Sequence, residues 1–186
     1  MCIMLAVFMG KVLKKKTAVA GDEVTYSLML RQMQKAAAIQ HKGIASRHAY
    51  SMDGIDYYCG IRDEDIGILR QKYDVIILDI SFENTFDNTN VTFARMVSRL
   101  SACDENILAG SMLPWKSREC EKKMERIERF LDIRGLKMVT LAACDKEAVS
   151  IIKKHGVEVV LIPFERNPFV ISGENLRSFL ELLKIT

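Results

Sequence analysis

Five short apolar runs limit the fold of this chain more than any other feature. They cover residues 17–20, 74–80, 106–112, 137–143 and 157–164. Each is bounded by turn-forming or charged residues and lacks the polar–apolar alternation of a strand with one face in water. Strands that are apolar on both faces are typical of parallel sheets with helices on each side.

Amphipathic segments of helix length separate the later runs. They cover residues 91–102, 116–131, 145–155 and 174–184, and Gly156 follows the third as a helix C-cap does. Strand and helix thus alternate from about residue 62 to the end. This order predicts an α/β fold with a doubly wound, mostly parallel sheet. Because no linker interrupts the chain, we expect one domain over residues 1–186.

The first half of the chain departs from this alternation. Residues 48–60 read HAYSMDGIDYYCG, two strand-like runs around Asp53-Gly54. This dipeptide is a strong signal for a two-residue hairpin. We expect a β-hairpin insertion near residues 47–60 that decorates one edge of the sheet, preceded by a helix over residues 24–40.

Composition and charge exclude several classes of protein. The net charge of +3 gives no strong nucleic-acid signal, and the lysines at 14–16 and 122–123 are expected to be solvated. The five cysteines have no metal-ligand spacing, which predicts reduced thiols and no zinc site. The apolar opening is too short to span a bilayer and its lysines follow it, unlike a secretory signal. We therefore expect a cytoplasmic protein.

Ligands of open parallel sheets bind beyond the carboxyl ends of the strands. Asp79 ends the apolar run 74–80, where a carboxylate can hold magnesium, although such an aspartate also serves as a backbone cap. Asp22 follows the first run and is either a contact for magnesium or water, or a turn residue.

Two further strand ends carry candidate residues. Asp145 opens a predicted helix, for which the default role is an N-cap. Pro163 fixes the path of the loop IPFERNPF, and Phe164 either lines a base-binding pocket or packs in the core. The sequence contains no GxxxxGK[ST] or GxGxxG phosphate loop and no defensible Ser–His–Asp set.

In its order of elements the chain resembles the ParA/MinD-like P-loop ATPases, in particular a divergent Firmicutes branch related to Tad pilus assembly factors. The stretches that carry the resemblance are LAVFMGKVLKKKTAVAGDE, GIDYYCG, KYDVIILDIS, CDENILAGSMLPW and VVLIPFERNPF. In that family the opening helix follows a central strand and a Walker A phosphate loop. By this resemblance we expect both to lie upstream of Met1.

The resemblance also implies roles for individual residues. Asp79 matches the family's Walker B acid, which holds magnesium indirectly. Asp22 matches the acid that orients the attacking water, although the usual DxD is GDE here. Asp145 stands where the family often has a base-reading asparagine, and Pro163 and Phe164 fall in its base-flanking loop. ATP with Mg²⁺ is the implied cofactor, and a homodimer is an expected assembly.

Two functions follow as alternatives. The first is a nucleotide-dependent switch, with little hydrolysis, that acts on a protein partner in pilus, secretion or positioning machinery. The second is a pseudo-ATPase scaffold that acts through protein–protein contacts alone, for which Trp115 is a candidate contact or a core residue. A membrane contact through residues 174–186 is disfavoured because their leucines are spaced for docking on the sheet.

Overall fold

The computed structural model describes residues 1–21, 37–39, 44, 48–80, 90–111, 113–130, 132, 136–141 and 146–185. The chain divides into two compact units. Unit 1 comprises Met1–Asn88 and Pro168–Ile171, and unit 2 comprises Thr89–Asn167 and Ser172–Thr186. Each unit is described by itself. The expectation of one domain over residues 1–186 stays a prediction.

Unit 1 contains a sheet in the order β2-β3-β4-β1-β5. Its described strands and helices are β1 (Thr17–Gly21), β2 (Ala37–Ala38), β3 (His48–Met52), β4 (Ile55–Cys59), β5 (Val75–Asp79), α1 (Cys2–Val7) and α2 (Asp63–Lys72). Strand β1 pairs in parallel with both β4 and β5, whereas β2, β3 and β4 pair antiparallel in succession. The sheet is therefore mixed, with a parallel half around β1.

Strand β1 lies at the centre of that parallel half, and all five of its residues are buried. Helix α1 contacts β1 and β5, and the other face holds an apolar cluster that includes Ala18, Ala20 and Leu69 of α2. Side chains alternate between the two faces of a strand. Small residues at Ala18 and Ala20 therefore let α2 pack closely, while Val19 points toward α1.

The apolar opening forms the expected buried helix, with a change of pitch. Residues Ile3 to Phe8 are all buried, and a π-helical segment, Phe8–Val12, continues α1. The Leu13 amide donates to the Phe8 carbonyl at 3.1 Å, which closes the wider turn. Gly10 lies against β4, because a Cβ at this position would meet Ile55 Cγ1 at 3.0 Å. A side chain at Gly10 would therefore push the segment away from the sheet.

The predicted hairpin is confirmed, but its place in the sheet is not the one expected. Asp53 and Gly54 both have positive φ, 54° and 78°, as a two-residue type I′ turn requires. The hairpin does not merely decorate an edge, because its second strand, β4, is interior and pairs with β1. The expected helix over 24–40 lies mostly outside the described residues, and its positions Ala37–Ala38 form β2.

A chain of hydrogen bonds joins β4 to the end of α2. The hydroxyls of Tyr58 and Tyr73 lie 2.6 Å apart, and the Tyr73 hydroxyl donates to Asp56 Oδ2 at 2.5 Å. The two rings meet edge to face at a centroid distance of 6.1 Å. Every polar group in this small network has a partner, so burying it costs little.

Tyr57 lies on the opposite face of β4 and is fully buried. Its hydroxyl has no hydrogen-bond partner. Burial raises the pKa of Tyr57, and nearby Asp53 raises it further. A buried hydroxyl without a partner keeps its desolvation cost uncompensated.

Unit 2 contains a three-stranded parallel sheet in the order β6-β7-β8. Its described strands and helices are β6 (Ile107–Ala109), β7 (Lys137–Leu141), β8 (Glu158–Ile162), α3 (Asn90–Ser101), α4 (Pro114–Glu128), α5 (Lys146–Lys154) and α6 (Gly173–Leu183). The strands and helices predicted for this half of the sequence are confirmed. Among the described residues, no helix is long and apolar enough to cross a membrane.

Helix α6 packs against β8 through polar and apolar contacts. Ser172 caps its first turn by accepting from the Asn175 amide at 3.2 Å. The Ser178 hydroxyl donates to the Leu161 carbonyl at 3.0 Å, and Phe179 and Leu182 are fully buried. The expected docking of this helix on the sheet is therefore observed.

Two matched substitutions test the hydrogen bonding of the tyrosines. We expect Tyr57→Phe to leave stability unchanged or raise it by about 1 kcal/mol, because it removes an unpartnered buried hydroxyl. Tyr73→Phe should cost about 2 kcal/mol, because Tyr58 and Asp56 both lose their shared partner. Urea unfolding of the two variants measures both values. Equal losses in the two variants would contradict the assignment.

The same tyrosines predict how stability depends on pH. Burial raises the pKa of Tyr58, and burial followed by the Asp56 hydrogen bond raises that of Tyr73. Above pH about 10 the unfolded chain loses tyrosine protons that the folded chain retains, so stability falls as pH rises. Unfolding midpoints measured between about pH 8 and about pH 10.5 should decline, and Tyr73→Phe should flatten that decline. An unchanged slope in Tyr73→Phe would contradict this account.

Candidate functional site

The parallel strands of unit 1 end side by side at one edge of the sheet. Gly21 at the end of β1 is in register with Cys59 of β4 on one side and with Asp79 of β5 on the other. The Gly60 amide donates to the Gly21 carbonyl at 2.9 Å, which extends the pairing by one step. Neighbouring strands lie about 4.8 Å apart. The backbone of Asp79 is thus one strand spacing from the residue that precedes Asp22.

Asp79 is the predicted site residue that the structure places most informatively. It is half-buried at the last position of β5. By alternation it shares a face with Val75 and Ile77, the face that α1 covers. The expected position at the carboxyl edge is confirmed by the strand bounds, whereas its role as a metal ligand stays a prediction.

Two residues at this edge were not singled out from the sequence. Cys59 is fully buried at the end of β4, and His48 of β3 is its register partner. Because the hairpin was expected at the margin of the sheet, the end of β4 was not treated as a ligand-binding edge. The signal that could have found them is the apolar content of IDYYC, which suits an interior strand.

The carboxyl edge of unit 2 carries the predicted loop. Pro163 directly follows β8 and is half-buried, and the Phe164 side chain is 76% exposed. The alternative that Phe164 packs in the core is therefore wrong. An exposed ring beyond a strand end is available for stacking, so the base-contact role of Phe164 stays a prediction on a suitable position.

Residues after β6 form the rest of this edge. A Cβ at Gly110 would lie 2.6 Å from Met138 Cε and 2.8 Å from Cys120 Sγ, so only glycine fits here without a shift. Burial raises the pKa of the Cys120 thiol, which donates to the Ser111 carbonyl at 3.5 Å. Cys120 is therefore a protonated packing residue.

The remaining predicted site residues are not placed. Asp22 and Asp145 lie outside the described residues. Trp115 is the second residue of α4, and its side chain is likewise outside them. Asp79 belongs to unit 1, whereas Pro163 and Phe164 belong to unit 2. Their roles stay predictions.

Metal-ligand chemistry is limited in the part of the chain that the structure describes. There, no three side chains among histidine, cysteine, aspartate and glutamate are grouped so as to hold a metal ion. The four described cysteines, Cys2, Cys59, Cys103 and Cys120, are free thiols. Both observations agree with the expectation of no zinc site for these residues.

Comparisons with known proteins place the fold. No family model and no curated protein sequence matches the chain. The MinD cell division protein of Aquifex aeolicus superposes with a TM-score of 0.62 at 12% identity, over 100% of this chain and 92% of that one. A structure of the MinC:MinD cell division protein complex from the same organism gives 0.63 at 13% identity, over 99% and 91%. The chain therefore has a mixed α/β fold of the MinD type.

Proposed function

We propose that this chain is a ParA/MinD-like domain that acts as a nucleotide-dependent switch, with ATP and Mg²⁺ bound at the carboxyl edge of unit 1. The observation that carries the proposal is the position of Asp79, at the end of a buried parallel strand beside Gly21, within a MinD-type fold. Ligands of open α/β sheets bind at this edge.

The residues present fit magnesium as a partner of nucleotide and not magnesium alone. Mg²⁺ keeps several waters and is usually held by one or two carboxylates together with substrate phosphates. Asp79 supplies one such carboxylate, and no described cluster supplies three ligands. Asp79 would thus hold the ion through water, and the nucleotide phosphates would complete its shell.

Hydrolysis by this chain should be slow. Phosphoryl transfer depends mainly on positioning and on electrostatic stabilisation of the phosphates. The sequence has no GxxxxGK[ST] loop to supply backbone amides and a lysine for that purpose. Asp22, directly after Gly21, would orient the attacking water, and Asp145, Pro163 and Phe164 would contact the base.

A protein partner belongs to the same proposal. The MinD protein in one of the matching structures is in a complex with MinC. By analogy, nucleotide binding here would control contact with a protein partner, across a homodimer, in a pilus, secretion or positioning system of the Tad type.

The alternative is a pseudo-ATPase scaffold of the same fold. It is favoured by the absence of a phosphate loop from the sequence and by the exposure of Phe164, which at 76% is available to a protein partner. The two functions differ in whether nucleotide changes the chain at all.

Titration calorimetry with MgATP separates them. We expect binding in the micromolar range, weakened about tenfold or more by Asp79→Asn because the substitution removes the charge near the metal. Asp74→Asn is the matched control, because Asp74 immediately precedes the amino end of the same strand. It should leave the affinity within about twofold.

Other outcomes of that titration have defined meanings. An absence of heat at millimolar nucleotide from a folded chain would reject the switch and leave the scaffold. Equal weakening by both substitutions would reject the role of Asp79 in particular. Phosphate release at the rate of the protein-free control is expected for all three chains, and rapid turnover would contradict slow hydrolysis.

A further inference from the structure

A fixed group of lysines lies at the amino edge of the unit 1 sheet, at the opposite end of the strands from Asp79. Lys14, Lys15 and Lys16 are exposed and directly precede β1. The Lys15 amide donates to the Met9 carbonyl at 3.0 Å, and the Lys16 amide donates to Asp74 Oδ2 at 2.8 Å. These bonds hold the lysine backbone against the sheet, so its charges are presented at a defined place.

Further cations come from the end of α2. Arg70 and Lys72 occupy its last turn, and the Asp74 amide that follows donates to the Lys16 carbonyl at 2.9 Å. This bond brings the end of α2 to the lysine run. The Lys16 ammonium also lies 5.3 Å from the centre of the Tyr73 ring, which fixes its stem along an apolar surface.

The carboxylates nearby are already engaged. Asp53 Oδ2 pairs with Lys11 at 2.6 Å, Asp56 accepts from Tyr73, and Asp74 accepts from the Lys16 amide. Within the residues that the structure describes, the ammonium groups of Lys14 and Lys15 have no ion-pair partner. The amino edge therefore carries an excess of positive charge.

An apolar side chain lies among these cations. Val12 is 43% exposed and precedes Lys14 by two residues. The amino-edge patch is defined here as Val12, Lys14, Lys15, Lys16 and Lys72. Apolar contact surrounded by charges is the usual composition of a small protein interface.

The size of the patch decides which partner it fits. Proteins that bind DNA through phosphates alone use about 6–10 such contacts, which is more than this patch offers. A lipid surface needs a second anchoring signal beside a polybasic group for stable attachment, and one valine is a weak anchor. An acidic peptide matches both the number of lysines and the single apolar side chain.

We infer that the amino-edge patch is the docking surface for an acidic segment, with an apolar residue among its carboxylates, of a protein partner. The surface is at the far end of β1 from the proposed nucleotide edge, about 13 Å away along a five-residue strand. Partner and nucleotide therefore do not compete for space, and this inference does not depend on nucleotide binding.

Fluorescence anisotropy with labelled oligoglutamate peptides of about ten residues, with leucine or serine at the centre, tests the inference. Lys14→Glu/Lys15→Glu should weaken binding of the leucine peptide by about tenfold or more. The control Lys116→Glu/Lys122→Glu makes the same charge change at two exposed positions of α4. It should change the affinity by less than about twofold.

Two further variants keep the test independent of folding and of charge alone. Lys14→Gln/Lys15→Gln should give a smaller loss with unchanged circular dichroism. Val12→Ser should abolish the preference for leucine over serine. Equal loss in the patch and control variants would overturn the inference. Tighter binding of a short DNA duplex or of anionic phosphatidylglycerol vesicles than of the leucine peptide would also overturn it.

Discussion

The double-sided burial of β1 is the constraint on which unit 1 depends. The strand has a parallel neighbour on each side, an apolar helix over one face and α2 over the other. Its backbone groups are paired within the sheet and its side chains contribute only apolar contact. Both functional edges follow from this arrangement, because the strand fixes Gly21 beside Asp79 at one end and Lys16 beside Asp74 at the other.

Local patterns in the sequence predict much of this fold. The apolar runs became β1, β5, β6, β7 and β8, and Asp53-Gly54 became a hairpin turn, because both signals depend on burial and on backbone geometry within a few residues. The pairing of β4 with β1 was missed. Asp56 made that strand read as partly polar, and the group that satisfies it, the Tyr73 hydroxyl, lies 17 residues away.

The candidate site was predictable to a smaller extent. A strand that runs from Val75 to Asp79 places its last carboxylate at the edge, so the position of Asp79 follows from the pattern alone. Exposure of Phe164 does not, because an aromatic residue after an apolar run reads equally well as core. The chemistry of either residue depends on neighbours distant in sequence, which local patterns do not specify.

The π-helical segment has a consequence for how this protein can vary. A π turn holds one residue more than an α turn, and such turns arise when a residue is inserted into a regular helix. Removing one residue between Phe8 and Val12 would restore the α pitch and rotate everything after it by about 100° about the helix axis. Gly10 would then leave Ile55 and Lys11 would leave Asp53, so insertions and deletions should be rarer here than substitutions.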